Sequence, residues 1–322
     1  MKRFIIKSSL TIVIPVVSFL VAYEISMRSI PNDYSFKSAL WEKKAREIKV
    51  LVLGSSHCYY GFDPIYFSKT AFNAANVSQT YNYDWFLFNK YFDRMDSLEY
   101  VVLPISSFSP YSKTENRRES WRCKEYAIHY GCDFHKWYEI KYRYHFAYLS
   151  IGNILQAISR LSNGNYHHIY VDSNGYSKRT ATDRIDDIEQ DGITAAIRHT
   201  IDIEKCNAIF HENSDYVRDK VTRCQKRGIK VLFVSTPTLP EYYTHLNPKQ
   251  VQKMEDFGRS MEQYENVRYI NLLKSSLFDT NDFFNSDHLC DKGAKKLTTL
   301  INNTINEWDS IPQRNQITLE KK

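Results

Sequence analysis

Two short segments near opposite ends of the chain constrain its fold more than any other feature. The first, Val50-Leu51-Val52-Leu53-Gly54-Ser55-Ser56-His57, is an apolar run that stops at Gly-Ser-Ser. The second, Asn285-Ser286-Asp287-His288-Leu289-Cys290-Asp291-Lys292-Gly293, reads as a loop that holds a histidine and opens into a helix. A strand buried on both faces of a parallel sheet is a short, continuous apolar run. A serine at the tip of such a strand and a histidine from a later loop can meet over the carboxyl edge of the sheet, where open α/β folds place their sites. An imidazole there can take the serine's proton and make it a nucleophile.

The chain between these segments supports the same sheet. Lys49–Leu53 reads as the first strand and Ala71–Ala75 as a shorter second. Tyr100–Leu103, stopped by Pro104, reads as a third, Ile229–Val234 as a fourth ended by Pro237 and Pro240, and Val267–Leu272 as a further one. Tyr81–Tyr91 reads as an aromatic-rich helix. In Asn207–Arg227, Phe210, Val217, Val221 and Cys224 recur at helical spacing, and Gly228 stands at the expected C-terminal cap. Gly293–Trp308 sets Leu297, Ile301, Ile305 and Trp308 on one helical face. Strands alternating with helices predict an α/β fold, a three-layer α/β/α sandwich with a parallel sheet of about five strands.

Residues 105–200 break that rhythm. They are rich in Tyr, His, Arg and Ser, with turns at Asn163-Gly164-Asn165 and Ser173-Asn174-Gly175 and a helical pattern over Ser150–Leu161. They read as an insertion above the sheet, where substrate selectivity would reside. The organisation expected is an anchor over 1–27, a linker over 28–44, the α/β domain over 45–311 and a polar, frayed tail over 312–322.

The N-terminus sets the compartment. Phe4 to Tyr23 is about one bilayer span long at helical rise, and its only charge is Lys7, whose stem can reach the headgroups. Met1-Lys2-Arg3 places positive charge before the run, so the positive-inside rule keeps the N-terminus in the cytoplasm and sends the rest across. A cleaved signal peptide is the competing reading; Val21-Ala22-Tyr23 makes a poor cleavage site, which favours an uncleaved anchor.

Composition narrows the function further. The net charge of +6 is modest and the basic residues are scattered. With no zinc spacing and no basic stripe, nucleic acid is not an expected partner, and no metal or cofactor is expected. The 24 tyrosines and 18 phenylalanines can stack on sugars, though most must serve as core or half-buried surface. The six cysteines form no metal spacing. Cys123 with Cys132, and Cys58 with Cys290, are candidate pairs in an oxidising compartment, with unpaired buried thiols the alternative.

Gly54-Ser55-Ser56 after a strand resembles the first block of the SGNH (GDSL-like) hydrolases, in which the third residue is the nucleophile. Asp287-His288-Leu289 followed by Gly293 resembles their last block, which holds the base. With an N-terminal anchor, the whole is similar to the membrane-anchored SGNH-like proteins of cell-envelope acylation. The resemblance spans roughly residues 45–305, and only its two end blocks are specific. It implies acyl-ester chemistry on a cell-surface polysaccharide outside the cytoplasmic membrane, by hydrolysis or by O-acyl (acetyl) transfer. A catalytically weak scaffold that binds glycan or a membrane acyltransferase is the alternative.

The sequence departs from the family pattern in three places. The family's acid lies three residues before the histidine, where this chain has Asn285, and Asp287 directly precedes His288. The Gly-x-Asn-Asp block is replaced by Pro104-Ile105-Ser106-Ser107, and the second-block glycine is not evident in Asn73-Ala74-Ala75-Asn76-Val77-Ser78-Gln79. The catalytic candidates are therefore Ser56 and His288, with Asn285 or Asp287 holding the imidazole tautomer. Asn285 is favoured because three residues of loop let its side chain fold back. Oxyanion or substrate donors are expected from the Ser56 N–H and the side chains of Asn76 and Gln79, with Ser106 near the pocket. His57 reads as a site-wall residue. His199, His211 and the Tyr166-His167-His168-Ile169-Tyr170 cluster read as structural or surface groups.

Overall fold

In the computed structural model, residues 2–132, 134, 148 and 169–311 are described. The expected helix at 150–161, the turn at 163–165, residues 166–168 of the aromatic cluster and the tail from 312 lie outside the described residues.

Five strands, β1 (Val50–Val52), β2 (Ala71–Asn73), β3 (Tyr100–Pro104), β4 (Lys230–Ser235) and β5 (Val267–Asn271), form one sheet in the order β2-β1-β3-β4-β5. Every pairing is parallel; Leu51 sits opposite Phe72 on one side and Val101 on the other. Side chains alternate between the two faces of the sheet, as the pleat requires. Val50, Val52, Val102, Leu232 and Val234 join one buried cluster with Leu297, Ile301 and Ile305. Leu51, Leu53, Val101, Val231 and Phe233 join the other with Leu87, Tyr91, Val221 and Met254. Two covered faces explain why these strands read as unbroken apolar runs.

Helix α1 is Lys2–Arg28 and α2 is Asp33–Lys44; the short α3 (Ser56–Gly61) leaves β1, and α4 (Tyr81–Phe92) follows β2. After β3 come α5 (Cys123–Tyr130), α6 (Ile188–His199) and α7 (Asn207–Lys226). The sequence then runs β4, α8 (Pro240–Tyr243), α9 (Pro248–Met261), β5 and α10 (Asp291–Ser310). Residues of α4, α7 and α9 cover one face, and those of α3 and α10 the other. The chain steps outward from β1 to β2 and then crosses back to β3, so a crevice opens between the ends of β1 and β3 where the strand order reverses.

Three expectations need correction. Residues 28–44 are not a bare linker. Asn32 caps α2 through a reciprocal bond with Ser35, and Trp41 is fully buried, stacked on Tyr91 at 4.4 Å. The described parts of the 105–200 insertion flank the sheet as well as overlie it. Asn73 N donates to Asn174 O at 2.9 Å, which covers the outer edge of β2, a position where an open strand invites unwanted pairing. Finally, no disulfide joins either candidate pair among the described residues. Cys290 instead donates its thiol to Asn281 O at 3.4 Å, while Cys58 lies beneath Gly54.

Within α1, Thr11–Arg28 is long and apolar enough to cross a membrane, and its side chains are mostly exposed. Its last turns turn polar: Glu24 is buried, accepts from Arg28 Nε at 2.9 Å and takes the Tyr148 N–H at 3.0 Å.

Candidate active site

The loop after β1 is shaped by Gly54. Its φ of +118° lies where L side chains are rarely found, and a Cβ there would stand 2.2 Å from Pro104 Cγ. Gly54 N donates to the buried Asp84 Oδ1 at 2.9 Å and Gly54 O accepts from Asn76 N at 3.1 Å. The turn so fixed delivers Ser56 as the first residue of α3, half-buried at the crevice. Ser56 and His57 lie in the first turn of α3, so their N–H groups have no carbonyl of their own helix to bond.

The loop before α10 is braced from several sides. Phe283 bridges Leu289, and Phe284 N donates to His288 O at 3.1 Å. Ser286 gives both its N–H (3.0 Å) and its hydroxyl (2.6 Å) to Asp191 Oδ2 on α6, and its carbonyl accepts from Leu239 N at 2.9 Å. Asn285 Oδ1 folds back to accept from His288 N at 2.8 Å. This bracing aims the imidazole at the serine: His288 Nε2 lies 2.7 Å from Ser56 Oγ.

Two oxygens compete for the other ring nitrogen. His288 Nδ1 is 3.1 Å from Asn285 Oδ1 and 2.9 Å from Asp287 Oδ1. The shorter distance is the poorer hydrogen bond. Asp287 Oδ1 lies off the N–H direction and is left without an aligned donor, whereas Asn285 Oδ1 takes the aligned bond. Asn285 thus sets the ring's tautomer, and Asp287 places a negative charge beside it.

Asp287 is fully enclosed, and two more histidines surround it. His57 Nε2 is 3.3 Å from Asp287 Oδ2, with His57 Nδ1 3.2 Å from Ser106 Oγ. His199 Nδ1 is 3.8 Å from Asp287 Oδ2 and 2.8 Å from Tyr242 OH. Burial raises the Asp287 carboxyl, but the imidazoles of His288 and His57 beside it outweigh that and hold the group well below the usual carboxylate range. Burial pushes His57 down from its ordinary value, and it pushes His199 well below. The cluster is one enclosed anion among imidazoles, two of which are held neutral.

The donor atoms of His57, Asp287 and His288 lie within 4.8 Å of one another, as a small metal site requires. Yet Nδ1 of His288 bonds Asn285 and Nε2 bonds Ser56, so neither ring nitrogen is left with a free lone pair for a cation. The arrangement suits proton transfer from the serine.

Other residues picked out from the sequence lie elsewhere. Asn76 Nδ2 donates to Gln79 Oε1 (2.9 Å) and Ala74 O (3.5 Å); Gln79 Nε2 donates to Asp84 Oδ1 (2.6 Å) and Ala74 O (3.4 Å). Both amides are occupied in an internal network beneath the Gly54 turn, so the expectation that they donate to an oxyanion does not fit this geometry. The backbone N–H groups opening α3 remain as donors. Ser106 faces His57 rather than Ser56, and Ser107 O accepts from Gln250 Nε2 at 3.0 Å. His199, read as structural or surface, is buried at the site because the C-terminal end of α6 turns it inward. The signal in the sequence is slight: a histidine closing a helix in the segment expected to overlie the sheet.

Aromatic rings line the rest. Phe284 stacks on His288 (5.7 Å, 23°) and Tyr60 meets it edge-on at 5.6 Å. Phe108 stacks on His199 at 4.1 Å and meets His57 at 5.7 Å.

No family model and no curated sequence matches the chain. Among solved structures it is similar to a protein described as a platelet activating factor from Streptococcus pneumoniae. There the TM-score is 0.41 and the identity 10%, over 92% of this chain and 99% of that one. It is also similar to a protein described as an acylhydrolase from Bacteroides fragilis, with a TM-score of 0.38 and 12% identity over 89% of this chain and 95% of that one. At such distances the chemistry rests on the geometry of this site alone.

Proposed function

We propose that the protein is an acyl-ester enzyme, anchored by α1, that acts on a cell-surface polysaccharide outside the cytoplasmic membrane. The observation that supports this most is the 2.7 Å approach of His288 Nε2 to Ser56 Oγ at the crevice where the strand order reverses. Ser56 Oγ attacks the carbonyl carbon of an acetyl or similar ester while His288 Nε2 takes its proton. The backbone N–H groups opening α3 face the developing oxyanion. The C–O bond to the sugar then breaks, and His288 returns the proton to the leaving hydroxyl. Water releases the acyl group as an acid; a second sugar hydroxyl receives it as a new ester. The first half-reaction is common to hydrolysis and transfer. Asp287 offsets the imidazolium formed during attack, and Asn285 holds the ring.

A fluorophosphonate probe tests the reading. Stoichiometric labelling that disappears on Ser56→Ala supports it, and absence of labelling in folded protein sinks it. The occupied amides of Asn76 and Gln79 favour a second reading, a non-catalytic scaffold that binds glycan or a membrane acyltransferase, and that reading expects no labelling. The basic Lys2-Arg3 before the apolar helix supports an extracytoplasmic domain. A reporter fused after Trp308 should be active only outside the cytoplasm, and cytoplasmic activity would overturn that orientation.

A further inference from the structure

The proton path from Ser56 to His288 has a counterpart on the next strand. Val52 of β1 sits opposite Val102 of β3. Ser56 stands four residues beyond Val52, and Ser106 stands four residues beyond Val102. Both serines therefore lie past the carboxyl ends of neighbouring parallel strands, at the crevice where the strand order reverses. Each has its own imidazole. Ser106 Oγ lies 3.2 Å from His57 Nδ1, and His57 Nε2 lies 3.3 Å from Asp287 Oδ2.

The proton positions along this second path follow from the groups themselves. Asp287 is held well below the usual carboxylate range, so it only accepts. The hydrogen it receives from His57 must be on Nε2. In the neutral ring Nδ1 is then the free lone pair, and it faces the Ser106 hydroxyl. Burial favours that neutral ring, the form a base must have. Asp287 orients the base here as a carboxylate does in a Ser-His-Asp triad, with the two ring nitrogens exchanged. Ser109 N donates to Ser106 O at 3.2 Å, which closes a turn over Ser107 and Phe108. Their N–H groups, inside that turn, can act as oxyanion donors beside Ser106. Ser106 is 8% exposed, no more enclosed than His288 at 9%, and the Phe108 ring closes over its base at 5.7 Å from His57. A small acyl group suits such a space better than a long one.

We propose that Ser106 is a second acyl-accepting nucleophile, with His57 as its base and Asp287 shared between the two serines, and that it takes small acyl groups such as acetyl. Ser106 Oγ bonds the carbonyl carbon of the ester as its proton passes to His57 Nδ1. The bond to the leaving oxygen breaks, and His57 gives the proton to that oxygen. The acyl group remains on Ser106 as an ester. This step does not depend on the reactivity of Ser56.

The test treats the full chain carrying Ser56→Ala with p-nitrophenyl acetate and locates the acetyl group by intact mass and peptide mapping. One acetyl should reside on Ser106, and Ser56→Ala/Ser106→Ala should carry none there. Ser56→Ala/His57→Gln should acetylate about a hundredfold more slowly, the worth of a positioned base. Should that variant misfold, Ser56→Ala/Asp287→Asn, which keeps the size of the side chain but not its charge, should slow the step likewise. A serine that merely fixes the His57 tautomer would stay unmodified. An unmodified Ser106 in folded Ser56→Ala protein, or acetylation at an undiminished rate in the His57 or Asp287 variant, overturns the proposal. The larger fluorophosphonate addresses the more exposed Ser56 and keeps the two readings apart. Labelling of Ser56 with Ser106 unmodified removes this proposal and leaves the acyl-ester reading of Ser56 standing, whereas acetylation of Ser106 without labelling of Ser56 does the reverse.

Discussion

His57 Nε2 stands 3.3 Å from Asp287 Oδ2 across 230 residues of chain, so the helix that presents Ser56 also grips the carboxylate beside the His288 imidazole. Asp287 links α3 to the His288 loop, and any shift of one is felt by the other. The serine and its imidazole are thereby positioned as one rigid unit.

The two oxygens facing His288 Nδ1 have separable roles. Asn285→Ala removes the aligned acceptor and should lower turnover of an aryl acetate about tenfold, the worth of one hydrogen bond. Asn285→Asp should retain or raise turnover, because a carboxylate also offsets the imidazolium. Steady-state kinetics decide: turnover untouched by Asn285→Ala but abolished by Asp287→Ala in folded protein would give the orienting role to Asp287.

Gly54→Ala should destabilise the fold by about 2–4 kcal/mol, because the new methyl meets Pro104 in a backbone conformation unsuited to alanine. The Cβ would sit 2.2 Å from Pro104 Cγ at φ +118°. A urea midpoint equal to that of the parent protein would show that the turn adapts instead.

Stability should decline on the acid side well before carboxylates titrate. His57 and His199 are buried neutral with folded values below their unfolded 6.5, so their contribution is full above that value and is lost as pH falls through the folded one. Asp287 is depressed from 3.8, so its contribution fades only in stronger acid. Thermal melts between neutral pH and mild acid should show a falling midpoint, and His199→Phe should flatten the slope. A midpoint constant over that range would contradict the account.

Asp191→Ala should impair catalysis more than stability. It removes two charge-assisted bonds to Ser286, at a cost of about 1–2 kcal/mol after allowing for partial exposure. The freed loop should let His288 drift from Ser56, with kcat falling at least about tenfold in a folded protein. Unchanged kcat would mean that Leu239 and the Phe283–Leu289 bridge suffice.

What was legible in the sequence follows from what burial does to composition. The strands read correctly because both faces are covered, leaving apolar runs with glycine or proline at their ends. Ser56 and His288 could be placed together because strand tips and late loops share one sheet edge. Helix α2 was hidden because buried Lys37 interrupts the apolar period, its ammonium reaching Ala75 O in place of core packing. Helix α6 was hidden by polar residues and by Gly192, whose missing side chain lets Glu241 O approach. His199 reaches the site only through that helix, and nothing local to it reports a partner 88 residues away at Asp287. Proximity of Cys58 and Cys290 to site residues along the chain did not become a bridge: Cys290 gives its thiol to Asn281 O, while Cys58 packs beneath Gly54.

The short connection between α1 and α2 has a mechanical meaning. Ser29, Ile30, Pro31 and Asn32 alone join them, a reach of at most about 14 Å, and both neighbouring helices are tied to the domain, α1 through Glu24 and α2 through Trp41. A domain on so short a stem cannot sweep the space above a bilayer. On the function proposed above, an embedded α1 would hold the crevice at one height and one tilt, and a polymer substrate would have to be fed past it.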